Sequence, residues 1–117
     1  MINVKRVYDA PGAGDGVRYL VERLWPRGIS KENLVMDAWL KDVSPSHALR
    51  RWFRHDPSKW DDFQHLYRAE LDAHPGAWEP LVEALIKGNV TLLYSARDTE
   101  HNNAIVPKSY LEDHLAV

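Results

Sequence analysis

The segment Ile2–Tyr8, INVKRVY, alternates apolar and polar positions and is rich in β-branched residues, which predicts a first strand. Asp9–Gly16, DAPGAGDG, is dense in Pro, Gly and Asp and reads as a loop. Val17–Trp25, VRYLVERLW, reads as a second strand. So short a loop cannot join neighbouring parallel strands, because a parallel crossover takes about a dozen residues or more. The two strands are therefore either an antiparallel hairpin or parallel and not adjacent. The best strand pattern is Asn89–Ala96, NVTLLYSA, a continuous apolar run bounded by Gly88 and Arg97. Such a run predicts a strand buried on both faces, central to its sheet.

The middle of the chain follows a different period. Leu34–Leu40 is a short apolar segment read as helical. Ser44-Pro45 looks like a helix start, a capping hydroxyl followed by proline at the first helical position. Leu49, Trp52 and Phe53 give that helix an apolar stripe, and Asp56-Pro57 repeats the start signal. Trp60, Phe63, Tyr67 and Leu71 then step at three- and four-residue spacing, an amphipathic helix to about Ala73 that Pro75-Gly76 breaks. Trp78, Leu81, Val82, Leu85 and Ile86 form the next stripe, closed by Gly88 in the C′ position. After the long apolar strand, RDTEHNNA opens a last helix with Thr99 as its cap and Leu111 and Leu115 packing. Pro107 should kink or restart it, since its ring removes an intrahelical bond. Two strands, a run of helices, a strand and a helix make an α/β protein. Its small sheet, mixed or largely parallel with three or more strands, is covered by helices in one domain over residues 1–117.

Composition narrows the classes. The chain has 117 residues, no cysteine, 44% hydrophobic and 27% charged positions, which suits a folded domain and excludes disulfides, thiolate nucleophiles and zinc-thiolate sites. No run of about 20 apolar residues occurs and MINVKRVYDA lacks a signal-peptide core, so no membrane span and a cytoplasmic location are expected. The net charge is −2, yet residues 18–54 hold eight Lys/Arg and four Asp/Glu, hence +4, which leaves −6 for the remainder. One basic and one acidic face follow from that asymmetry.

GVRYLVERLWPRGISKE, WLKDVSPSHALRRWFRHDPSKWDDFQHLYRAEL and VTLLYSARDTEHNNA, in that order, resemble the YeaO-like branch of the family called domain of unknown function 488. The resemblance runs from Val7 to about Leu115. It implies an α/β, cytoplasmic, bacterial or archaeal protein and no particular activity. Glu22 stands where the family usually has Asp, and Pro107 where it usually has Leu.

Candidate chemistry gathers at two predicted strand ends, where open α/β sheets bind ligands. Glu22, Arg23, Trp25 and Arg27 stand at the carboxyl end of the second strand; Asp98, His101 and Asn102 lie just past that of the last. If those strands are parallel, both sets meet at one edge, where guanidinium forks beside helix-start N–H groups would hold a small phosphate- or carboxylate-bearing ligand. The ligand-binding set is Arg23, Trp25, Arg27, Lys41 and Asn102, with Lys41 and Ser46 as a phosphate cradle. Glu22, Asp98 and His101 would move protons if the protein is an enzyme, which the sequence leaves open. Each set also has a structural reading: arginines paired with Glu22 or Asp98, a tryptophan in the core, serines as helix caps. Metal is not expected, because Asp98 with His101 and Glu70 with His74 supply only two ligands each. No dinucleotide, P-loop or serine-hydrolase fingerprint occurs, so no cofactor is expected. The alternative is a binding or regulatory protein that contacts nucleic acid or an acidic partner through the basic 18–54 face. The aromatics of RRWFRHDPSKW fit apolar stripes, which counts against base stacking. Oligomeric state has no signal.

Overall fold

The computed structural model describes residues 1–115. Its centre is a strand, β4 (Val90–Tyr94), with all five residues buried. It pairs on one side with β1 (Ile2–Arg6), Ile2 opposite Val90 through Arg6 opposite Tyr94. On its other side lies β2 (Val17–Leu20), Val17 opposite Val90 through Leu20 opposite Leu93. A two-residue strand, β3 (Ala38–Trp39), adds to β2, so the order is β1-β4-β2-β3 and every pairing is parallel. The first two strands are thus no hairpin; β4 lies between them, the arrangement the short loop permits. Leu34–Leu40 yields β3 and a core leucine, not a helix, because Asp37 and Leu40 N–H groups donate to β2 carbonyls at 2.7 and 2.8 Å.

The four helices are α1 (His47–Phe53), α2 (Trp60–Ala73), α3 (Pro75–Lys87) and α4 (Ile105–Leu115). Val21, Val90, Leu92 and Tyr94 share one core with Phe53 of α1, Phe63, Tyr67 and Leu71 of α2, Leu81 of α3, and Val106 and Leu111 of α4. Period-2 alternation along β4 sends Leu93 to the opposite face, where Val7, Leu20 and Leu34 pack with Trp25, Ile29 and Met36 from loops and Trp39 of β3. Each fully buried leucine or phenylalanine contributes roughly 1.5–3 kcal/mol. The helical stripes are narrower than their spacing suggests: Trp52, Ile86 and Leu115 are 39%, 81% and 44% exposed.

Local signals moved by up to three residues. The cap of α1 is Ser46, whose hydroxyl accepts from Leu49 N–H at 3.2 Å, while Ser44 closes a 3-10 turn at Lys41–Val43. Asp56 caps a second 3-10 turn, Pro57–Lys59, that leads into α2. Gly88 ends α3 in extended backbone. Asn102, not Thr99, caps α4, and Pro107 is that helix's third residue, where an N–H would have no intrahelical partner in any case, so it fits without a kink. At the opposite edge of the sheet Asp15 binds both Lys5, at 2.9 Å, and the buried Arg18.

Candidate functional site

Because all four strands run the same way, the segments after β2, β3 and β4 leave the sheet at one edge. Ligand sites in open parallel sheets form there. Val21 N–H donates to Leu93 carbonyl at 3.1 Å, the last rung between β2 and β4. Beyond it the side chains of Glu22 and Arg23 part company.

Glu22 is buried, and one carboxylate oxygen accepts from the Ser95 N–H at 3.0 Å and its hydroxyl at 3.4 Å. The other accepts from the Asn103 amide at 3.1 Å. The end of β2 is thereby tied to the loop after β4, across 81 positions of sequence. Burial pushes the Glu22 carboxyl above its ordinary pKa, with the Ser95 bonds and the Arg50 charge opposing. Glu22, Arg50, His55, Ser95 and Asn103 line a small pocket of about 100 Å³ with Phe53 and Phe63. His55 and its neighbour Arg54 take left-handed backbone, φ 55° and 49°, where α1 ends. Non-glycine residues there carry a cost of about 1–2 kcal/mol each.

Arg23 turns to the other side, into a cavity of about 490 Å³ bounded by Asp42, Ser44, Ser46, Tyr67, Glu70, Leu71, His74, Gly76 and Ala77. One of its N–H groups donates to the Ser44 carbonyl at 3.1 Å, and Asp42 stands 3.8 Å away with its side chain 89% exposed. The Arg23 Nε is buried and has no hydrogen-bond partner among the described residues. Since a guanidinium offers five donors, most of this one's capacity is unengaged. Glu70, on α2, accepts from the Ser46 N–H at 2.9 Å and the Ser46 hydroxyl at 2.6 Å, holding the start of α1 against α2. The Tyr67 hydroxyl donates to the Val43 carbonyl, and burial, followed by the charges of Glu22 and Glu70, pushes its pKa well above the ordinary value.

The other expected residues have partners of their own. Trp25 donates from its indole to the Ile29 carbonyl at 2.7 Å and stands edge-on to Trp39, with ring centres 5.3 Å apart. Lys41 places its ammonium 4.1 Å from the centre of the Trp39 ring. Arg27 is exposed, and its carbonyl receives the Tyr8 hydroxyl. Asn102 is buried; its side-chain oxygen accepts from Ala104 and Ile105 N–H at 3.1 and 3.3 Å, and its amide donates to the Asp98 carbonyl at 3.0 Å. Asp98 and His101 do meet: Oδ2 lies 2.8 Å from Nδ1, and Oδ1 accepts from the Glu100 and His101 N–H groups. The Glu100 N–H bond, then the His101 side chain and after it the His101 N–H, lower the Asp98 pKa. The His101 ring stands edge-on to Trp60, and neither Asp98 nor His101 lines the cavity that Arg23 enters. Among the described residues no three His, Asp or Glu side chains gather in a way that could hold a metal ion. No helix of the described chain is long and apolar enough to cross a membrane.

The residues that complete both pockets were not legible as site residues. Tyr67 belongs to an apolar stripe, Glu70 lies beside it, and Arg50 is one of three arginines around Trp52. Only the packing of α1 and α2 over the strand ends brings them to Glu22 and Arg23.

The family described as "Inactive DUF488-N3 subclade" matches residues 1–117. The uncharacterised protein YeaO of Escherichia coli (strain K12) is 43% identical over 110 residues, which cover 94% of this chain and 96% of that protein. The uncharacterised proteins Rv3073c of Mycobacterium tuberculosis and Mb3100c of Mycobacterium bovis are each 44% identical over 70 residues, 60% of this chain and 59% of theirs. No solved structure matches the chain.

Proposed function

The chain belongs to the inactive DUF488-N3 subclade, and from that premise we propose that it is a cytoplasmic binding protein for a small anionic ligand rather than a catalyst. The ligand, carboxylate- or phosphate-bearing, would sit in the 490 Å³ cavity at the carboxyl edge of the sheet, with Arg23 as its principal contact. The observation that carries this reading is the guanidinium itself. It lines a cavity of ligand size with a single hydrogen bond, to the Ser44 carbonyl, among the described residues. Fixed in place by β2 and the 3-10 turn, it presents its fork to an anion with little reorganisation.

Binding without turnover is favoured by where Glu22, Asp98 and His101, the residues expected to move protons, lie. Asp98 and His101 pair with each other away from the cavity. Glu22 already accepts three hydrogen bonds, two from Ser95 and one from Asn103, outside the cavity. The word inactive in the subclade's description agrees with that placement. The nucleic-acid alternative draws less support, because Arg18 is buried against Asp15 and Arg23 and Arg50 line pockets, which removes three charges from the basic 18–54 face.

A thermal-shift screen of small carboxylates and phosphates tests the reading. At least one should stabilise the wild type, Arg23→Gln should abolish the response, and Arg27→Ala, which lies outside the cavity, should keep it. No stabilisation by any anion, or an unchanged response in Arg23→Gln, refutes it.

A further inference from the structure

Resting on the reading of that cavity as an anion site, we propose that its ligand is a zwitterion of the α-amino-acid type, its carboxylate on Arg23 and its ammonium on Glu70 and Asp42. The lining carries one guanidinium and two carboxylates, with His74 and the Tyr67 phenol as the remaining titratable groups. A phosphate dianion entering there would meet one positive charge and two negative ones, so the Coulomb terms oppose it. A bare cation would leave the Arg23 donors without an acceptor. A molecule with both signs satisfies both sides.

The acceptors have capacity for an ammonium. Glu70 receives only the two bonds from Ser46, one on each oxygen, while a carboxylate accepts about four. Asp42 lies 3.8 Å from the Arg23 guanidinium, too far for a hydrogen bond, and its side chain is 89% exposed at the rim. Glu70 has no paired base among the described residues, and Asp42 has only the loose 3.8 Å ion pair with Arg23, on a side chain free to turn toward a ligand. The Tyr67 hydroxyl is engaged by Val43 and closes the floor, and Leu71 and Ala77 give the wall an apolar stretch for a side chain. The volume, about 490 Å³, lies within the usual range for small-molecule pockets.

The test compares the free L-α-amino acids with their N-acetyl derivatives, and with acetate and inorganic phosphate, by thermal shift and calorimetric titration on the intact chain. At least one free amino acid should bind, and its N-acetyl form, which keeps the carboxylate and lacks the ammonium, should bind about ten- to a hundredfold more weakly, as expected for a lost charge-assisted bond. Glu70→Gln should erase that discrimination, and Asp42→Asn, whose exposed side chain is not needed for folding, should reduce it. If free and acetylated forms bind equally, or phosphate binds as well as any amino acid, the zwitterion is refuted while the anion site stands. If the discrimination survives both substitutions, the ammonium is not where we place it and the assignment falls. If no carboxylate or phosphate compound binds, the anion site fails, and this inference with it.

Discussion

Replacing Asn102 by alanine separates a ligand-reading residue from a structural one. In the folded chain the Asn102 side chain makes three hydrogen bonds, two as acceptor from Ala104 and Ile105 N–H and one as donor to the Asp98 carbonyl, while only 1% of it is exposed. Removing the capping oxygen costs about 1 kcal/mol. The Ile105 N–H keeps the Asn102 backbone carbonyl at 3.3 Å, but leaving the Asp98 carbonyl and the Ala104 N–H short of partners in a nearly dry site adds about 1–2 kcal/mol. The total, about 2–3 kcal/mol, is a large part of the stability of about 5–15 kcal/mol that domains of this kind possess. It corresponds to a fall in Tm of about 10 °C. Urea unfolding should therefore show a lower midpoint at an unchanged slope, which marks a change in stability and not in compactness. Asn102→Asp, which keeps the capping oxygen, should recover part of the loss. If Asn102→Ala unfolds within about 0.5 kcal/mol of the wild type and changes only ligand binding, the capping role assigned to Asn102 is refuted.

Two further measurements probe the frame around the pockets. Gly16 takes φ +63°, and a Cβ there would overlap the Asn89 carbonyl oxygen and lie 2.6 Å from its carbon, whereas Gly28, at φ +77°, has open space around it. Gly28→Ala should cost only the left-handed backbone term, about 1–2 kcal/mol, while Gly16→Ala should cost several-fold more in chemical denaturation; equal costs would show that the backbone at Asn89 yields freely. For Glu22 the folded pKa is raised, so the native state holds its proton to higher pH than the unfolded chain does. Its contribution is most favourable below the unfolded value, near 4.5, and is lost as pH rises through the folded value. The stability difference between wild type and Glu22→Gln, measured from pH 4 to 8, should shift in favour of the variant as pH rises, by at most about 1.4 kcal/mol per pH unit. The difference isolates Glu22 from Asp56 and Asp98, whose lowered pKa values act in the opposite sense. A difference independent of pH refutes the assignment.

Local patterns determined a good deal of this protein on their own. A short apolar, β-rich run bounded by Gly88 and Arg97 pointed to a strand covered on both faces, and β4 is the central strand. The length of the first loop allowed two topologies, and both strands pairing with β4 fulfils one of them. The stripe Phe63, Tyr67 and Leu71 marked the buried face of α2, because a period of 3.6 is a property of the chain alone. Start signals at Ser-Pro and Asp-Pro were legible to within a residue or two, since a capping hydroxyl or carboxylate works wherever a free N–H is near. That same tolerance is why Ser46 caps α1 in place of Ser44, and Asn102 caps α4 in place of Thr99.

The tertiary structure decided what the strand-end residues face. Beyond the end of β2 at Leu20 the chain leaves the sheet, and there the motif VERLWPRGIS sends Glu22 to Ser95 and Asn103 and Arg23 to the cavity beside α2. Sequence neighbours thus became parts of two different pockets. Trp25 and Lys41, which also read as ligand contacts, are drawn to Trp39 of β3, on the sheet face whose core cluster contains no helix residue. Glu70 and Arg50 joined the pockets because α1 and α2 pack across the carboxyl edge, a long-range contact that no local spacing encodes. Which residue types stand at a strand end is a matter of sequence; which of them share a cavity follows only from the packing of distant helices over that edge.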